Sequence, residues 1–181
     1  MASIAGGHKP NKGVDNCDWL TPPEILKALG PFDLDPCAAP RMPWETARKM
    51  LTKETDGFNA DWGESRVFLN PPYGLQTAPW MRKMSAHGNG IALIFARTET
   101  KLWQEWVWKR ASGILFLSER LFFYDMDGQR AAHNSGGPSA LVAYDRKDGS
   151  GWNRSCLSIC GLSGAFVDGK DVRWCDSRTE Q

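Results

Sequence analysis

VFLNPPYG, residues 67–74, is the stretch on which the reading of this chain turns. Its first three residues make a short apolar strand. Pro71 and Pro72 end that strand at once, because neither can donate to a sheet ladder. An asparagine therefore stands at the carboxyl end of a strand, with an aromatic ring just beyond it. FDLDPCA, residues 32–38, repeats the device upstream: a strand from Phe32 to Asp35 is halted by Pro36, and the small residues that follow leave room for something to approach the backbone.

The neighbouring segments extend the pattern. IALIFA (91–96) is a continuous apolar run of the kind buried on both faces of a parallel sheet. GILFLSERLFFY (113–124) supplies one or two further strands, and ALVAYD (140–145) a last clear one. Between them lie helical stretches. Thr21 can cap a helix whose first turn holds Pro22, Pro23 and Glu24 and which stops at Gly30. TAPWMRKMSAHG (77–88) reads as helix up to Gly88, and residues 100–111 carry Leu102, Trp103, Trp106, Val107 and Arg110 at helical spacing. That spacing puts Trp103 and Trp106 in the core and leaves Trp108, Lys109 and Arg110 toward solvent. Residues 41–64 show a turn at Asp56-Gly57 and little else. Strands alternating with helices predict an α/β fold, an open and mostly parallel sheet with helices on both faces. Ligands of such sheets gather at the carboxyl ends of strands, where both proline-stopped motifs put their polar residues.

Composition bounds the rest. A chain of 181 residues, 41% hydrophobic, can bury one core. Lys and Arg total 22 against 21 acids, a net charge of +1, so any nucleic-acid footprint must be local. Five cysteines, an odd number without a signal peptide, point to a reducing cytoplasm. Cys156, Cys160 and Cys175 lack the paired short spacing of a zinc site, so no metal is expected. No apolar run approaches the roughly 18 residues of a membrane span. Residues 1–17 read as a flexible arm, 18–145 as the working domain and 146–181 as an extension without an evident role.

The chemistry of NPPY is specific. An amino nitrogen conjugated to a ring or carbonyl is a poor nucleophile and must pyramidalise before it attacks a methyl group. The Asn70 side-chain oxygen and the Pro71 carbonyl can accept both of its hydrogens in that geometry, favouring the transition state over the ground state. The prolines make the pair rigid in advance. Tyr73 then offers a flat face for a planar group such as a flipped nucleobase. The competing reading is a polar strand-end turn.

DWLTPPEI, FDLDPCA and VFLNPPYG, in that order, resemble the amino-methyltransferases, and more narrowly the phage-type, Dam-like DNA N6-adenine methyltransferases. The likeness continues through FARTETKLW, SERLFF and SALVAY and spans roughly residues 18–145. It implies a trimmed, Rossmann-like, S-adenosylmethionine-dependent fold that moves a methyl group to adenine N6 of DNA. Phage or prophage origin and action in the bacterial cytoplasm, as an orphan enzyme or beside a nuclease, are implied in the same way. By position, Asn70, Pro71, Pro72 and Tyr73 match the catalytic motif. Thr21 and Pro22 match the TP element beside the cofactor, and Asp35, Pro36 and Cys37 match the first cofactor strand. Asp56 matches a DG element facing the adenosine, with Glu54 as the alternative partner for the ribose. A carboxylate at Asp35 has its own reason, since it can pair with the methionyl ammonium. The chain departs from the wider pattern in reading CAAP after Asp35, where glycines are usual; Ala38 and Ala39 are small but do not reach positive φ cheaply.

For DNA, Arg97 after IALIFA and Arg120 in SERLFF are candidates for phosphate contact or for structural ion pairs. The segment DMDGQRAAHNSGGPS (125–139) offers Gln129, Arg130, His133 and Asn134 to base edges or phosphates, or is a plain connector. Three other functions fit parts of the pattern: methylation of a glutamine amide, methylation of cytosine N4, and a catalytically inactive nucleic-acid-binding module.

Overall fold

The computed structural model describes residues 19–146 and 150–173. The arm expected over residues 1–17 lies outside them, as do Cys17 and Cys175. Seven strands form one sheet: β1 (Leu34–Asp35), β2 (Lys49–Met50), β3 (Val67–Leu69), β4 (Gly90–Phe95), β5 (Gly113–Leu117), β6 (Ser139–Tyr144) and β7 (Gly164–Asp168). Their spatial order is β2-β1-β3-β4-β6-β5-β7. The pairings β2-β1, β1-β3 and β3-β4 are parallel; β4-β6, β6-β5 and β5-β7 are antiparallel. The expected mostly parallel sheet is therefore parallel in only half of its pairings. Strand direction is set by how the chain returns, and an apolar run such as SALVAY reads the same either way.

Helices cover both faces. On one, α1 (Pro23–Leu29) and α3 (Trp152–Ile159) bury Ile25, Leu26, Leu29 and Leu157 with Phe68, Ile91, Leu93 and Leu141. On the other, α2 (Thr77–His87) and a short π-helix, Trp103–Trp108, bury Trp80, Met81, Met84, Trp103 and Val107 with Leu69, Ile94 and Val142. The cap of α1 is not Thr21: the Pro22 carbonyl accepts from the Ile25 amide at 3.0 Å, Pro22 is the N-cap, and Thr21 is buried one residue outside the helix. Gly88, at φ 71°, closes α2 by donating to the Met84 carbonyl.

The π-helix corrects the expected exposure of Trp108. With i→i+5 bonding, residues five apart come onto one side, as they do not at 3.6 residues per turn. The Trp108 ring thus lies 5.4 Å from that of Trp103 and 6.2 Å from Phe116, and its indole N–H donates to the Thr98 carbonyl.

Residues 36–66 hold only the two-residue β2, which makes that side of the sheet short. Beyond residue 146, α3 and β7 are built into the same sheet and core. Arg66, just before β3, joins them to it: its guanidinium donates to Asn153 Oδ1 at 2.8 Å and to the carbonyls of Pro31 and Leu29, and stacks over Phe32 at 4.3 Å. No helix among the described residues is long and apolar enough to cross a membrane.

Candidate active site

The strand order creates the site. From β1 the chain passes to β2 on one side, then returns across β1 to β3 on the other. The carboxyl ends of β1 and β3 are thus a topological switch point, where open α/β sheets leave a crevice for ligands. Asp35 ends β1, and Asn70 follows β3 directly.

Asp35 is buried, with Oδ1 accepting from the Cys37 amide at 2.9 Å and Oδ2 from the Thr46 hydroxyl at 2.5 Å. Burial pushes its carboxyl up to about 6, and the two hydrogen bonds offset only part of that shift. Both of these donors are neutral.

The DG element is seated on this same turn. A Cβ added at Gly57 would lie 1.9 Å from the Pro36 carbonyl oxygen, so glycine is required by close packing. Asp56 adopts φ 49°, and its carboxylate accepts from Asn59 Nδ2 at 2.8 Å. The loop is pinned from beneath: the Trp62 indole donates to the Gly57 carbonyl, and Lys83 of α2 donates to the carbonyls of Phe58 and Ala60. Glu54, exposed on the same excursion, accepts from the Thr52 hydroxyl.

At the other motif, Asn70 Nδ2 donates to the Trp19 carbonyl at 3.4 Å. Its Oδ1 is buried and has no partner among the described residues. Pro71 is buried, while Pro72 and Tyr73 are exposed. The Tyr73 ring lies 4.3 Å from that of Phe95, at the end of β4. Leu20 and Tyr124 exchange backbone bonds of 2.8 and 3.1 Å, which docks the segment carrying Thr21 and Pro22 beside this corner. Three buried side-chain polar atoms lack partners among the described residues: Asn70 Oδ1, Ser139 Oγ and Trp44 Nε1. Ser139 pairs with Phe95 in the β4-β6 register, and Trp44 packs edge-on to Tyr124 at 5.3 Å. Unsatisfied buried groups are few in folded proteins, and these three border one edge of the sheet. Ser139 and Trp44 escape sequence reasoning. A serine opening a strand looks ordinary until the strand's direction is known, and the burial of Trp44 follows from its packing on Tyr124.

The proposed DNA contacts come to the same edge because β6 is antiparallel. Arg97 follows the carboxyl end of β4, and the excursion from Ser118 to Pro138 leaves the carboxyl end of β5 to enter β6 beside Phe95. Part of that excursion is a tight hairpin. The Asp125 carboxylate accepts from the amides of Asp127 and Gln129, and Tyr124 pairs with Arg130. Gly128, at φ 76°, rests against Pro43 and Trp44, and Arg41 pairs with Asp127. Gln129, Arg130, His133 and Asn134 are exposed, and the Arg130 guanidinium stacks 3.8 Å over Phe122. Arg120 is also exposed and donates to the Ser135 carbonyl, whereas Arg97 lies 5.6 Å from the Phe95 ring centre.

Two concavities open elsewhere. One of about 430 Å³ lies between Phe58, α2 and Trp106; another of about 470 Å³ lies between α1, Phe32 and residues 44–48, sharing Thr46 with the Asp35 network. Neither is lined by Asn70 or Tyr73. The Asn70 acceptor is buried, so a planar amine reaches it only after neighbouring groups move.

A family model described as DNA N-6-adenine-methyltransferase (Dam) matches residues 8–161, from ahead of Trp19 through the end of α3. No curated protein and no solved structure matches the chain.

Proposed function

The chain belongs to the DNA N-6-adenine-methyltransferase family, and on that premise we propose that it transfers a methyl group from S-adenosylmethionine to N6 of adenine at specific sites in DNA. The observation that carries this reading is Asn70 Oδ1, a buried acceptor left without a partner at the switch point of the sheet. Leaving such an atom unpaired costs about 1–3 kcal/mol. A substrate N–H that reached it would recover that cost.

The residues around it fit the methyl donor. Asp35 is a buried carboxylate held by two neutral donors, and a methionyl ammonium would supply the missing positive charge. Thr21, Pro22, Pro36, Cys37 and Asp56 would complete the pocket, with Glu54 as the alternative for the ribose. When bound, S-adenosylmethionine supplies an electrophilic methyl group on a sulfonium.

The chain's own residues would do the rest. Tyr73 takes one face of the extruded adenine. Asn70 Oδ1 and the Pro71 carbonyl accept the two N6 hydrogens and draw the nitrogen lone pair out of conjugation as N6 forms its new bond. The nitrogen becomes cationic, so its extra proton leaves to water without a strong base. Arg97, Arg120, Gln129, Arg130 and Asn134 meet the DNA along the same edge, in keeping with phosphate contacts that position and base contacts that specify. Action in the cytoplasm of a bacterial cell, in a phage or prophage setting, belongs to the same proposal and rests on the likeness of the motifs.

The test is to incubate purified protein and labelled S-adenosylmethionine with DNA, RNA or protein and to digest each product. Label recovered as N6-methyladenine from DNA supports the reading. Label found only on protein overturns it.

A further inference from the structure

Resting on that reading, we propose that Leu75 is the side chain that enters the DNA stack when the target adenine leaves it. Extruding a base opens a gap in the duplex, and an apolar side chain can lie between base steps, as the wedges of architectural proteins do. Leu75 is 95% exposed, far more than the other large apolar side chains at the described surface except Ile159 on α3. A single exposed leucine is ordinary. This one stands two residues after Tyr73, itself 40% exposed, on the loop that leaves Asn70.

The loop is stiff. Pro71 and Pro72 fix its entry, and α2 begins at Thr77. The Thr77 hydroxyl donates to the Pro72 carbonyl at 2.8 Å, and the Thr77 amide donates to Gly74 at 3.3 Å. Gly74 adopts φ 102° with open space around a built Cβ, so glycine is there for the backbone turn and not for lack of room. The turn presents an apolar tip to water on a hydrogen-bonded support, and that tip gains by burial between bases. Its Cα lies within about 7.6 Å of that of Tyr73, two virtual bonds away. One rigid turn would thus carry both the ring that receives the base and the side chain that replaces it. Arg97, beyond the Phe95 ring that Tyr73 touches, lies on the same edge to meet phosphates.

The proposal predicts a defect confined to duplex substrate. Wild type, Leu75→Ala and Leu75→Met are assayed for N6-methyladenine formation on unmethylated plasmid DNA, native and heat-denatured, with melting curves and S-adenosylmethionine binding as controls. Leu75→Ala is expected to lower kcat/KM on native DNA about tenfold while staying within about twofold on denatured DNA, and Leu75→Met to recover most of the loss. Equal effects of Leu75→Ala on both DNAs overturn the role of Leu75 and leave the methyltransferase reading standing. So does a wild type that acts on denatured DNA alone, since no stack then needs filling. A wild type that makes no N6-methyladenine on either DNA overturns both.

Discussion

Asn70 and Asp35 are both strand-end polar residues, yet the structure gives them opposite conditions. Among the described residues, Asn70 keeps an acceptor unpaired, whereas Asp35 has both oxygens engaged by neutral donors. Asn70→Ala is expected to lower turnover by about 10²–10³-fold, with S-adenosylmethionine affinity within a few fold by calorimetry, because only the proposed transition-state acceptor is removed. For Asp35 the sign follows from burial. Its carboxyl is raised from 3.8 to about 6, so between these values the folded protein holds a proton that the unfolded chain has lost. Stability is therefore highest below about pH 4 as far as this group is concerned, falls as pH rises to about 6, and is level above; the loss is at most about 3 kcal/mol. Asp35→Asn should flatten that slope in denaturant titrations from pH 4 to 7. In the proposed function a methionyl ammonium would need the ionised carboxylate. S-adenosylmethionine affinity should accordingly weaken toward tenfold per unit below about pH 6 in wild type, and show no such dependence in Asp35→Asn.

At the scale of elements, the decisive packing is between two turns twenty residues apart. The DPCA turn and the DG turn touch through Gly57 and Pro36, with the indole of Trp62 and the ammonium of Lys83 bracing the second from below. Gly57→Ala puts a methyl group where a carbonyl oxygen stands, and one of the two turns must move. An expected loss of about 2 kcal/mol in unfolding free energy should come with weakened S-adenosylmethionine binding, because the displaced segment carries Asp56, a residue of the proposed cofactor pocket. The π-helix shows where helical periodicity misleads: the sequence spacing placed Trp108 outward at 3.6 residues per turn, and the wider winding turned it onto Trp103 and Phe116.

Across the whole molecule the two sheet edges divide the work. At the amino edge, Arg66 satisfies the end of α1 and the start of α3 together, at Leu29, Pro31 and Asn153, and is itself 9% exposed. At the carboxyl edge stand the unpaired Asn70 Oδ1, the exposed Tyr73 and Leu75, and the arginines. Arg66→Ala leaves the buried Asn153 Oδ1 without its donor and removes the bonds to the Leu29 and Pro31 carbonyls, and should cost about 3 kcal/mol, seen as a lower midpoint in urea. Well below that midpoint the variant's kcat should stay within about twofold of wild type, since nothing at the opposite edge is touched.

The sequence by itself determined that Asn70 and Asp35 end strands beside prolines and that Asp56-Gly57 makes a turn, because proline, asparagine and glycine act locally; the roles of the TP pair and of Asp56 came from the resemblance to a family. Local rules likewise located β1, β3, α1 and α2 to within a residue or two. Only the tertiary structure decided which of these motifs meet. The crossing of the chain from β2 back past β1 makes Asp35 and Asn70 neighbours, and the reversal of β6 carries residues 118–138 to the same edge. Helix α3 and strand β7, which no local motif announces, complete the core through long-range pairing with β5 and through Arg66. Strand direction and crossover are properties of the closed chain, settled by burying two faces of one sheet at once, and an apolar run of six residues carries no record of them.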